Sequence, residues 1–262
     1  MQGTRFLIGM MLLVTVGMAH AADKVQLFDP PLSEQHQPLP ADPLNPQTKP
    51  ALSCFYYPHL MVKQVDMGEV GAEQLSILFV ENGKKPPACR RENARDEKVI
   101  GDWSGYFRGV RAEYVFFAGA DGANGGTPFA VFNPEGEKLF ADTAVDMHSV
   151  KTMRPPQPLS QRPWYENPLE LDYRRVYLAP CSMRSNAQTC WSEIRQATGL
   201  SQAAPDCSAA YAAQEKTASA GQLAELRADP SVVEYEVHAV LDGRGVIQVT
   251  PVSPALACYP AE

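Results

Sequence analysis

Six cysteines (Cys54, Cys89, Cys181, Cys190, Cys207 and Cys258) constrain this chain more than any other feature. What they become depends on the compartment. The first residues carry Arg5, then an uncharged apolar stretch from Phe6 to Val16, then Ala19-His20-Ala21. A basic end, an apolar core and an A-x-A site predict a secretory signal peptide over residues 1–21. The apolar run is too short and wrongly flanked for a membrane anchor. In an oxidising compartment an even set of cysteines reads as a disulfide framework. No C-x-x-C pair exists and no histidine stands at finger spacing, which argues against metal ligation. Six cysteines allow 15 full pairings. Cys54 and Cys89 are alone in the front half, so Cys54–Cys89 is the first pairing expected. The other four stay open.

Loss of residues 1–21 removes one positive charge, Arg5, and leaves 22 basic against 30 acidic residues, a net charge of about −8. That balance argues against nucleic acid and against a general affinity for anionic membranes. The expected product is periplasmic or secreted, with no stable membrane insertion after cleavage.

Proline divides the rest. Seven prolines between Pro30 and Pro50, among mostly polar residues, predict a disordered leader over 22–50, because such a segment buries too little to offset its ordering entropy. A second tract, Pro155-Pro156-Gln157-Pro158 through Pro163 and Pro168, predicts a stiff connector over 153–168. Between them lies a front region, 51–152, and after them a back region, 169–262. One domain with a proline-rich crossing segment fits the length equally.

The front region carries short β-prone runs, Leu75–Val80, Glu113–Phe117, Phe129–Phe132 and Lys138–Phe140. The last two flank Asn133-Pro134-Glu135-Gly136, a hairpin turn by composition. The back region is mixed. A strand is expected over Leu171–Leu178, a helix over Trp191–Thr198 closed by Gly199, a second in the Ala-rich stretch to Lys216, and a third from the capping box of Ser219 and Gln222. Val232–Leu241 and Val246–Val252, joined by Asp242-Gly243-Arg244-Gly245, read as a hairpin with Val233, Tyr235, Val237, Ala239 and Leu241 on the face toward the helices. The fold class is therefore α+β: a β-rich, sandwich-like N-terminal half and a smaller α+β C-terminal half, stapled by disulfides. No internal repeat supports a propeller.

Two glycine-rich stretches stand out: Asp102-Trp103-Ser104-Gly105-Tyr106-Phe107-Arg108-Gly109 and Asp121-Gly122-Ala123-Asn124-Gly125-Gly126-Thr127. Trp103, Tyr106, Asp121 and Asn124 are the ligand-binding candidates, with rings to stack on a sugar or peptide and oxygens to orient it. A Ca²⁺ loop is a second reading, without the EF-hand pattern to support it. A plain β-arch, its glycines supplying positive φ and its aromatics filling a core, is the third and the preferred one.

Catalytic signatures are missing. G-x-S-x-G fails at Gly101–Gly105 because the serine is off centre, and no H-E-x-x-H, S-x-x-K, P-loop or dinucleotide fingerprint occurs. No catalytic residue, metal or cofactor is assigned. Of the histidines after position 21, His36 lies in the leader, His59 in a turn after Pro58, and His238 on a strand face beside two glutamates. Asp142, Asp146 and His148 form a weak divalent-ion candidate beside the commoner reading of a solvated acidic turn. Between Lys84 and Lys98, six basic residues (Lys84, Lys85, Arg90, Arg91, Arg95, Lys98) meet three acidic ones, a balance of +3 with Cys89 inside the run. Such a loop suits an anionic envelope polymer or an acidic partner, or is simply a solvated face.

The preferred function is an exported binding or interaction protein of a bacterial envelope, its partner an envelope or extracellular protein or a glycan. The alternative is a secreted hydrolase whose carboxylates, such as Asp102, Asp121 and Asp142, meet only in the fold.

Overall fold

The computed structural model describes residues 26–81, 83–152, 167–242 and 245–261. The signal peptide expected over residues 1–21, most of the expected 153–168 connector and the turn residues 243–244 lie outside them.

Among the described residues, twelve strands form two antiparallel sheets, and within each sheet every strand lies beside its neighbours in sequence. The first sheet holds β1 (Ser33–Pro38), β2 (Ala51–Tyr56), β3 (Leu60–Asp66), β4 (Gln74–Phe79) and the two-residue β5 (Lys98–Val99). The second runs β6 (Gly105–Arg111), β7 (Tyr114–Gly119), β8 (Thr127–Phe132), β9 (Lys138–Thr152), β10 (Leu169–Leu178), β11 (Ser231–Asp242) and β12 (Gly245–Pro260). Three helices, α1 (Ala187–Thr198), α2 (Ser208–Glu215) and α3 (Ala220–Ala228), lie between β10 and β11 in the chain. The protein is β-rich with a small helical part, as expected.

The sheets do not follow the front and back regions. Thr152 at the end of β9 pairs with Leu169 at the start of β10, so one seven-stranded sheet takes four strands from before the connector and three from after it. The proline tract joins two adjacent strands of that sheet. No sequence pattern signals this, because pairing partners are chosen in three dimensions.

Burial explains the apolar runs. In β7 and β8, Val115, Phe117, Ala130 and Phe132 pack toward the first sheet, beside Leu60, Val62, Leu75 and Ile77. Their neighbours Tyr114, Phe116, Phe129 and Val131 face a second core with β10, β11 and the helices. Strands buried on both faces lose the alternation of a half-exposed sheet. The hairpin β11–β12 keeps that alternation: Val233, Tyr235, Val237, Ala239 and Leu241 are buried with Trp191, Ile194 and Tyr211 of the helices, as the sequence predicts. Gly199 closes α1 with φ 75°, and the Ser219–Gln222 capping box opens α3.

The leader is a correction. Within 22–50, residues 33–38 form β1, paired to β2 from Ser33↔Tyr56 to Pro38↔Ala51, although all six residues are exposed. An edge strand needs backbone partners more than apolar side chains, and the free N–H and C=O groups of β2 supply them. Upstream, Asp29 donates its N–H to the Val110 carbonyl (2.7 Å) and holds Arg111 (2.9 Å) and the Ala112 N–H (2.7 Å) with its carboxylate. The Phe28 ring lies 5.2 Å from that of Phe116.

Three disulfides close the framework: Cys54–Cys89, Cys181–Cys190 and Cys207–Cys258, leaving no free cysteine. Cys54–Cys89 is the pairing expected from sequence, and closing its loop is worth about 4 kcal/mol in the chain-entropy picture. Cys181–Cys190 ties the end of β10 to α1, and Cys207–Cys258 ties α2 to β12. Three such bridges fit a chain that folds in an oxidising compartment. No helix among the described residues is long and apolar enough to cross a membrane.

Candidate functional site

The disulfide-pinned basic loop is the most elaborately held surface segment. Residues 83–97 cross the outer face of the first sheet and cover a third core of Leu52, Cys54, Tyr56, Met61, Val65 and Leu78. Cys54, Lys63 and Ser76 stand side by side on β2, β3 and β4, and each of the three holds the loop. Cys54 bonds Cys89. Lys63 meets the Glu97 carboxylate at 2.7 Å, with both side chains 1% exposed. The Ser76 hydroxyl donates to the same carboxylate. Lys63 Nζ also donates to Asn93 Oδ1 (2.8 Å) and to the Glu92 carbonyl (3.2 Å), and Glu97 accepts the Ala94 N–H (2.8 Å).

This arrangement changes the charge the loop shows. Glu97 is consumed internally, so Glu92 and Asp96 are the acids of the run left on its surface. Lys84 pairs with Glu81 (2.6 Å) and Arg91 with Glu73 (3.1 Å). Lys85, Arg90, Arg95 and Lys98 are exposed and make no ion pair among the described residues. Sequence reasoning found the basic run but missed Lys63. Its signal was a lysine interrupting the apolar run Leu60–Val65.

The aromatic and glycine candidates are brought only partly together. Trp103 is half-buried at the edge of the inter-sheet core, and its indole N–H donates to the Ala118 carbonyl (3.4 Å), just before the Asp121 loop. Tyr106 is committed: its hydroxyl donates to the Glu69 carbonyl (3.0 Å) and accepts the Gly71 N–H (2.9 Å). Asn124 and Gly125 have φ of 53° and 74°, a tight turn that bridges Ala123 and Gly126. The Asn124 carbonyl lies 2.7 Å from the Tyr259 hydroxyl. Asp121 is exposed.

Two of the three carboxylates of the hydrolase reading are engaged elsewhere. Asp102 pairs with Lys138 at 2.8 Å. Asp142 is turned inward, where one oxygen accepts the Tyr173 hydroxyl and the other Arg175 Nε (2.9 Å). Burial, with Asp142 beside it, pushes the Tyr173 phenol well above its ordinary range, so it stays a donor. Arg175 also donates to the Tyr235 hydroxyl (3.1 Å). A carboxylate with both oxygens held in this way is poorly placed for acid–base work.

Asp146 and His148 point away from Asp142, onto the outer face of β9–β11. There His148 lies 3.0 Å from Glu236 and 3.6 Å from Asp146, Arg174 donates to Glu234 (2.7 Å), and His238 meets Asp172 (2.8 Å). Glu234 reaches Tyr259 (2.5 Å), which links this ladder to the Asn124 turn. Among the described residues no group of three His, Cys, Asp or Glu is placed to hold a metal ion. His59 fits its turn position, half-buried, with its pKa lowered by desolvation.

One acid is unusual. Glu113 sits with Ala112 in the β6–β7 turn at φ 74° and 47°, both strained for residues with a Cβ. Its Oε1 is buried without a hydrogen-bond partner, and burial, with Glu135 nearby, pushes its pKa up to about 7.

No protein-family model, curated protein or solved structure matches this chain.

Proposed function

We propose that this chain is an exported, disulfide-bonded binding protein of a bacterial envelope, and that the 84–98 loop is the surface with which it holds an anionic envelope polymer. One observation carries the reading. Four exposed cations without carboxylate partners stand on a loop fixed by a disulfide and a buried ion pair, in a chain of net charge −7. A flexible solvated loop has no need of such anchors. Holding the charges in place lowers the ordering cost of binding, and complementarity steers an anionic chain to this one region.

The test is retention of the signal-less protein on an immobilised acidic polysaccharide, with heparin as the probe, across a salt gradient. The Arg90→Glu/Arg95→Glu variant should elute at clearly lower salt with an unchanged melting temperature. Equal elution of the two proteins removes the loop from the function.

A second contact surface is proposed at Trp103, Tyr106, Asp121 and Asn124. It is supported by the half-buried indole of Trp103, which bonds the Ala118 carbonyl three residues before the exposed Asp121.

A further inference from the structure

A groove of about 270 Å³ lies where Leu27 and Phe28 cross the β7–β9 part of the second sheet. Phe116, Phe129, Ala144 and Met147 line it, and Phe28 forms one wall.

Three local devices build this opening. In β6, Phe107 pairs with Phe117 and Gly109 with Phe116, so Arg108 is an extra residue. In β9, Asp146 pairs with Arg174 and Ala144 with Arg175, so Val145 is extra. A bulge bends its strand and re-aims the extra side chain. Both extra residues, one from each bulge, line the same groove. The third device is Gly109, where a Cβ would come within 2.4 Å of the Phe28 ring. The glycine lets that ring seat closely, and the Asp29 contacts to Val110, Arg111 and Ala112 fix the segment that carries it.

Arg108 and Asp146 both line the rim. Asp146 lies 3.6 Å from His148. Arg108 is exposed and has no carboxylate partner among the described residues. The groove therefore offers an apolar, partly aromatic wall with one guanidinium outside any ion pair beside it, and its volume lies just below the usual range for ligand sites.

We infer that this groove binds a small amphipathic anion: an aromatic ring or short apolar chain against Phe28, Met147 and Val145, with a carboxylate, sulfonate or phosphate group on Arg108. A planar guanidinium favours such oxyanions through paired N–H donors. The site is independent of the basic loop.

The experiment is a fluorescence titration of the folded, signal-less protein with 8-anilinonaphthalene-1-sulfonate, whose rings and sulfonate match the groove. Saturable binding at one site is expected. Arg108→Gln and Val145→Glu, both at exposed positions, should each raise the dissociation constant at least tenfold while leaving thermal unfolding cooperative and unshifted. The Arg90→Glu/Arg95→Glu variant should bind the probe as the parent does. Absence of saturable binding overturns the inference, as does binding that both groove variants retain at parental affinity.

Discussion

Lys63 Nζ and the Glu97 carboxylate lie 2.7 Å apart with both side chains 1% exposed, in the cross-strand row that also carries Cys54 of the Cys54–Cys89 bridge. The pair ties the outer face of the first sheet to the end of the basic loop. Every Lys63 proton and both Glu97 oxygens have polar partners. A buried ion pair is tolerable only under that condition.

Breaking this pair from one side should be costly. Lys63→Met leaves a buried carboxylate with fewer donors, and about 3–5 kcal/mol of stability should be lost. The double variant Lys63→Met/Glu97→Leu should lose much less, because no charge stays behind. Urea unfolding of both variants checks this. Equal losses would mean that the pair does not act as a unit.

Removing the leader should damage the fold. A chain beginning at residue 51 lacks β1, Phe28 and Asp29, which exposes Phe116 and leaves the β2 edge unpaired. Loss of Phe28 burial alone is worth roughly 1.5–3 kcal/mol. Differential scanning calorimetry of the truncated and longer chains should show a lower melting temperature for the shorter one.

Glu113 sets a pH dependence. Its pKa is raised from an ordinary 4.5 to about 7, so the folded state holds this proton more tightly than the unfolded chain does. The contribution is full below about pH 4.5 and is lost as pH rises through 7. Glu113→Gln, which cannot ionise, should match the parent near pH 4 and exceed it at pH 8 by about 2 kcal/mol, allowing for partial exposure. Unfolding curves at the two pH values decide it, and a parent that gains on Glu113→Gln as pH rises would contradict the assignment.

Trp103→Ala distinguishes a structural indole from a binding one. With the ring half-buried against the inter-sheet core, a loss of about 2 kcal/mol is expected, less than for a fully buried tryptophan. In a protein of this size that corresponds to a melting temperature lower by roughly 4–8 °C. An unchanged melting temperature would favour a side chain kept for contact with a ligand.

Much of the local structure is legible in the residues. The capping box at Ser219, the left-handed Gly199, the Asn133–Gly136 turn and the alternation of β11 each depend on neighbours a few positions apart, so the sequence states them directly. The leader misleads for a physical reason. Its composition reports side-chain burial, whereas β1 is held by backbone hydrogen bonds to β2, which composition does not register. The partners of two binding candidates are hidden for a related reason, since Tyr106 finds its own in the turn at 69–71 and Asn124 finds Tyr259 135 residues away.

The sequence by itself determined the framework of a disulfide-bonded β-rich protein: an even cysteine set, its first pairing, the strand-forming runs, the helices of the back region and a basic loop on an acidic chain. These follow from composition, short-range periodicity and the chemistry of single residue types. Only the tertiary structure decided that one sheet takes strands from both sides of the proline tract, that Lys63 takes Glu97 out of the loop's surface charge, and that Arg108 and Val145 open on one groove. Each of these is a meeting of residues far apart in the chain. Such meetings are selected by shared burial and strand register, and the linear order of residues does not display either.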